Sequence, residues 1–224
     1  MEDQKLLTKK EIIPIVILVA MIVVATFFYD KMPQRVPSHW NFQGDIDGYM
    51  SKKSFVLFFP TLSVAIYSFM TFLPFVDPLK KNVQKFANVY LWMKTIIVGF
   101  LSFLFFLIIY ISVSEKLFFP VGLAVTLSIG IMMVLLGMVM PLIKKNYFIG
   151  IRTPWTIESE EVWSITHKRA KFAFVIGGAI MILGGIFEAI TFWFFLVAIL
   201  TLLWPVIDSY FIYRKIAKRD RADY

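Results

Sequence analysis

The sequence predicts an all-α fold, a polytopic membrane bundle of six transmembrane helices with both termini cytoplasmic. Three observations lead there. The chain is 59% hydrophobic and 17% charged, with a mean hydropathy of +0.75, whereas a soluble domain carries about 25% charged residues. The apolar residues fall in continuous runs rather than at amphipathic spacing, and a membrane span needs about 20 of them. Lysine and arginine crowd onto alternate connections between those runs. One integral membrane domain over residues 1–224 is the natural count.

The runs cover residues 12–29, 54–76, 95–113, 117–143, 172–190 and 192–213. The first is longer than the roughly 7–15 apolar residues of a secretory signal, and no small-residue cleavage site follows it, so it is expected to stay as a span. In lipid each backbone amide must be bonded within its own segment, which makes the runs helices. The in-out alternation of a barrel is absent.

Orientation follows from the basic residues. One side holds Lys5, Lys9, Lys10, Lys80, Lys81, Lys85, Lys144, Lys145, Arg152, Lys168, Arg169, Lys171 and the run Arg214–Arg221. The other holds only Lys31, Arg35, Lys52, Lys53 and Lys116. The richer side is cytoplasmic by the positive-inside rule, and the plasma membrane is the expected location. The formal charge of +8 then points to anionic membrane lipid as a partner, with no direct nucleic acid. With no cysteine, the chain has no disulfide, thiol nucleophile or cysteine metal site.

Within the spans, Pro60, Pro120, Pro141 and Pro205 are kink candidates. Gly177 with Gly184 and Gly178 with Gly185 form small-residue faces that suit close packing, within the monomer or at a dimer seam. The ionisable residues Lys94, Glu188 and Asp208 sit toward span ends, and a Lys94–Asp208 pair is one arrangement open to them. The middle of the membrane lacks the charge expected of an ion relay.

Two polar segments fall on opposite faces. The external loop 30–53 has an extended start imposed by Pro33 and Pro37, turns at Gly44 and Gly48, and the consecutive His39, Trp40 and Asn41. His39 with Asp45 and Asp47 lacks recognised metal spacing, so no metal is assigned. The loop reads as a cap over the bundle mouth, with His39 a structural hydrogen-bonder, or as a ligand site built on His39, Trp40, Asn41 and Gly44.

The cytoplasmic loop 144–171 contains Asn146, Gly150, Arg152, Thr153, Pro154, Trp155 and Trp163. Pro154 pushes Thr153 toward extended backbone. Ser159 before Glu160 and Glu161 starts a helix that runs through Trp163 and His167 into the fifth span. The tryptophans suit an aromatic belt at headgroup depth. The competing reading is a docking surface, with Arg152 offering fork-like bonds to a carboxylate or phosphate and Trp155 and Trp163 as anchors.

The run Ile149-Gly150-Ile151-Arg152-Thr153-Pro154-Trp155-Thr156, with Trp163 eight residues on, resembles the signature of the SdpI family of bacterial multi-span immunity proteins. The external run from Pro33 through Val36-Pro37, His39-Trp40-Asn41, Gly44 and Gly48 resembles that family's N-terminal domain of unknown function. The resemblance implies protection against a secreted toxin peptide, and signalling in which a cytoplasmic transcriptional repressor is held at the membrane. It implies no enzyme activity, catalytic residue or cofactor. External residues would then meet the toxin, and the cytoplasmic loop the repressor.

Two other functions are weighed. A lipid-processing membrane enzyme would hold a phosphate on Arg152 and use His39 as acid or base, but the two lie on opposite faces. No Ser-His-Asp set, HExxH or glycine-rich phosphate loop is present. A small-solute transporter gains from kinked spans and loses from the lack of central charge and of an inverted repeat.

Overall fold

The computed structural model describes residues 9–41, 45–114, 118–187 and 190–222. Six of its helices are long and apolar enough to cross a membrane. They are α1 (Ile12–Phe28), α2 (Lys52–Val76), α4 (Ala87–Val113), α5 (Val121–Val139), α7 (Glu160–Ile186) and α8 (Thr191–Ala222), with short helices α3 (Lys80–Lys85) and α6 (Pro154–Glu158) in the connections. The all-α bundle is present as expected.

Two helices start a full two turns or more before their apolar runs. Helix α4 takes in Ala87–Lys94 because Lys94 is buried inside the bundle instead of marking its edge. Helix α7 starts at Glu160, where the Ser159 side chain accepts from the amide of Val162. Pro60 and Pro205 do lie inside helices, α2 and α8. Pro120 is instead the N-cap of α5, and Pro141 sits in the 3-10 turn that ends it.

The loop 30–53 holds the one sheet among the described residues. Strands β1 (Arg35–Trp40) and β2 (Ile46–Ser51) pair antiparallel, Arg35 opposite Ser51 and Trp40 opposite Ile46, with irregular register around His39. Gly48 lies across from His39, where a β-carbon would come within 2.9 Å of the histidine's own. Val36 is fully buried and joins Met32, Phe55, Met21 and Phe105 in a core shared by α1, α2 and α4. That burial fastens the hairpin to the bundle.

The glycine faces of α7 pack within the chain, one face to each neighbour. Gly178 meets α5 at Gly130, where a β-carbon on either glycine would lie 2.6 Å from the other's carbonyl oxygen. Gly177 and Gly184 meet α8 at Thr201 and Phe194. Close backbone approach of this kind is how membrane helices associate without a hydrophobic driving force between them.

The Lys94–Asp208 pairing does not form. Lys94 Nζ lies 2.7 Å from Glu11 Oε1 and 3.2 Å from Thr71 Oγ1, and Tyr67 donates to the same carboxylate at 2.8 Å. Asp208 pairs with Arg169 of α7 at 2.9 Å. Helix adjacency decides both pairings. Helix α4 packs beside α1 and α2, and α8 beside α7. Glu188 lies outside the described residues.

Candidate functional site

Two regions gather the candidate residues, one at each end of the bundle. At the hairpin end, Ser38, His39, Trp40 and Asn41 roof a cavity of about 390 Å³. Its walls come from α5 (Val125, Ile129), α7 (Met181, Gly185) and α8 (Phe195). That size falls in the range of small-ligand sites. The hydroxyls on its wall are already used. Thr126 donates to Gly122 O at 2.8 Å and Thr191 to Gly184 O at 2.7 Å. Polarity is therefore concentrated in the roof.

His39 Nδ1 and Asp47 Oδ1 are 2.5 Å apart across the hairpin, both exposed. The Asp45 carboxylate instead faces Asn41, with Oδ2 accepting from Asn41 Nδ2 at 3.4 Å and the Asp45 amide donating to Asn41 Oδ1 at 2.9 Å, so the two acids do not converge on His39. Gly44, the fourth ligand-site candidate, lies outside the described residues.

At the other end, 144–167 is a folded unit rather than a loose loop. Asn146 is its hub. Its Nδ2 donates to the carbonyls of Lys144 (2.9 Å) and Ile149 (3.0 Å), and its Oδ1 accepts from the amides of Phe148 (2.9 Å) and Ile149 (2.7 Å). These four bonds exhaust the amide side chain. Gly150 follows with φ 105°, a left-handed conformation that favours glycine. The next amide, of Ile151, donates to His167 Nε2 at 3.1 Å, while His167 Nδ1 faces Trp163 O at 2.9 Å. An acceptor Nε2 and a donor Nδ1 define one neutral tautomer. The Trp163 ring stacks on His167 at 4.1 Å, and its Nε1 donates to Ile143 O at 2.8 Å.

Thr153 caps α6 in a reciprocal box with Thr156. Trp155 lies against α8, its Nε1 donating to Ser209 Oγ at 2.5 Å and its ring meeting Tyr210 edge-on at 5.4 Å. Arg152 is exposed, and one guanidinium nitrogen donates to Tyr147 O at 2.8 Å.

The structure thus divides the expected docking residues. Asn146, Thr153 and Trp163 are buried and present no surface to a partner. Gly150 and Trp155 are half-buried, and Arg152 and Pro154 are exposed. Of the two tryptophans, Trp163 is buried and Trp155 is half-buried against α8.

Sequence reasoning missed the residues that hold this unit from outside. Buried Asp77 accepts from Leu79 N at 2.6 Å and from Tyr147 N at 3.0 Å, and Asn82 donates to Lys145 O at 3.0 Å. The Asp77-Pro78 pair ending an apolar run is the one local signal, an Asx turn.

Comparison with known proteins follows the same two-part layout. Residues 142–209 match the model of the SdpI/YfhL protein family, and residues 16–64 match a domain of unknown function, DUF1648. Over 216 residues the chain is 26% identical to "Immunity protein SdpI" of Bacillus subtilis (strain 168), covering 93% of this chain and 98% of that one. The chain is thus similar to the SdpI/YfhL protein family over 142–209, and along nearly its whole length to one protein that carries the SdpI name.

No solved structure matches it. The SdpI-type segment contains the whole Asn146–His167 unit, α7 and α8 as far as Ser209, while the DUF1648 segment carries the hairpin. With six apolar helices and a full-length relative of this family, the chain is a multi-pass membrane protein. The hairpin cavity lies where the two segments meet, its roof from the first and its α7 and α8 walls from the second.

Proposed function

We propose that this chain is a non-enzymatic immunity protein and receptor, one integral membrane unit of the plasma membrane with its hairpin outside and both termini in the cytoplasm. It protects the cell against a secreted toxin peptide. The observation that carries this is the continuity of α7. The helix walls the roofed cavity with Met181 and Gly185, and it anchors the folded unit at the opposite end with Trp163 and His167. From Trp163 to Gly185 is about 33 Å at 1.5 Å per residue. Toxin engaged by His39, Trp40 and Asn41 over the cavity would shift α7 against α5 and α8. The same shift would reach Arg152, Pro154 and the exposed edge of Trp155, where a cytoplasmic repressor is captured. Coupling of this kind requires two states of one packed element that both sites bias.

The test is survival and signalling together. A toxin-sensitive host expressing the chain is challenged with a killing-factor toxin peptide, alongside His39→Ala and Arg152→Ala at matched membrane levels. Protection by the parent, lost in His39→Ala, is expected. Arg152→Ala should keep protection and lose repressor recruitment to membranes. No protection by the parent removes the immunity function.

A further inference from the structure

A second cavity, independent of the hairpin site, opens sideways between α4 and α5 and measures about 850 Å³. Along α4 it runs from Trp92 to Phe103, about 17 Å, and along α5 from Leu123 to Val139, about 24 Å, at 1.5 Å per residue. Both lengths exceed one leaflet, half of a hydrocarbon core about 30 Å thick, so the groove is long enough for an extended acyl chain. Its lining is apolar, and the two hydroxyls in it are satisfied by their own helices. Thr95 donates to Leu91 O at 2.9 Å and Ser128 to Val125 O at 2.7 Å. Small residues, Gly99 and Ala124, form part of the lining.

The end of the groove at Trp92 and Val139 meets a basic cluster. Val139 closes α5 just before Lys144 and Lys145, and Trp92 lies two turns beyond α3 with Lys80, Lys81 and Lys85. Asn82 ties the two groups together, donating to Lys145 O at 3.0 Å and accepting from Lys85 Nζ at 3.1 Å. None of these lysines forms an ion pair among the described residues. An apolar slot long enough for an acyl chain, with lysines free of ion pairs beside its end, has the chemistry of a lipid with a negative headgroup.

We propose that this groove is a specific site for one anionic phospholipid, with an acyl chain between α4 and α5 and the phosphate on Lys85, Lys144 and Lys145. The lipid fills the gap between α4 and α5, so it belongs to the resting fold and not to toxin recognition.

The full chain is reconstituted in nanodiscs of equal phosphatidylglycerol and phosphatidylcholine, released, and its retained lipid read by native mass spectrometry. The parent is expected to keep one phosphatidylglycerol, preferred over phosphatidylcholine by at least about tenfold. A β-carbon at Gly99 meets open space, so Gly99→Phe fills the groove without a backbone clash. Gly99→Phe, and Ala124→Phe from the opposite wall, should lose the bound lipid, while Val64→Phe on an exposed face of α2 keeps it. The triple variant Lys85→Gln, Lys144→Gln, Lys145→Gln should keep a lipid with no headgroup preference. Equal retention of both lipids by the parent overturns the proposal. So does retention by both groove-filling variants.

Discussion

Gly150 lies directly on the imidazole of His167, so that a β-carbon added at Gly150 would overlap the ring nitrogen Nε2. The same nitrogen accepts from the amide of the next residue, Ile151. Backbone conformation, side-chain identity and tautomer are thus set by one contact. Gly150→Ala meets both a left-handed φ and a steric overlap, and should cost at least about 2 kcal/mol of stability. Thermal unfolding of the detergent-solubilised protein reads this. In a double-mutant cycle with His167→Ala, the combined loss should be smaller than the sum, because the overlap disappears with the ring.

Asn146 makes a sharper test of the same unit. Its two donors and two acceptors are all used, and it is 1% exposed. Asn146→Asp keeps the shape, loses both donors and buries a charge, so it should destabilise at least as much as Asn146→Ala, by about 2–3 kcal/mol or more. A shape-driven role would instead let aspartate rescue the fold, which limited proteolysis at Arg152 would reveal.

Lys94 and Glu11 are buried together, with side-chain exposures of 2% and 12%. Removing one partner leaves the other charge unpaired in a dry site, so Lys94→Met alone should cost about 3–5 kcal/mol. Lys94→Met with Glu11→Gln should recover a large part of that loss. Chemical unfolding of the single and double variants measures the difference.

Thr166 is fully buried, and its hydroxyl has no hydrogen-bond partner among the described residues. Thr166→Val removes an unsatisfied polar group while keeping the branched shape. It should be neutral or stabilise by up to about 1 kcal/mol. A clear drop in melting temperature would show that the hydroxyl is used.

The sequence reveals the spans and the α7 start because those signals are local. They are unbroken apolar runs and the Ser159-Glu160-Glu161 cap. It reveals Gly150 and Trp163 as special without disclosing that both meet His167, since His167 lies 16 residues beyond Ile151 and Ile143 lies 20 residues before Trp163. The hairpin is hidden for the same reason. Pro33 and Pro37 announce extended chain, but Gly48, which reads as a turn, lies within β2 opposite His39, and pairing across the turn is not written in either strand. Lys94 shows the limit most clearly. Sequence alone offers Asp208 as its partner, and only the packing of α4 against α1 selects Glu11.

The most direct measurement is survival of a toxin-challenged host carrying a cavity-filling variant. Val125→Trp places an indole in the roofed cavity, and Val64→Trp places one on an exposed face of α2. At matched membrane levels, Val125→Trp should lose protection while Val64→Trp protects like the parent. Full protection by Val125→Trp would contradict the claim that the cavity beneath His39–Asn41 is where the toxin is met.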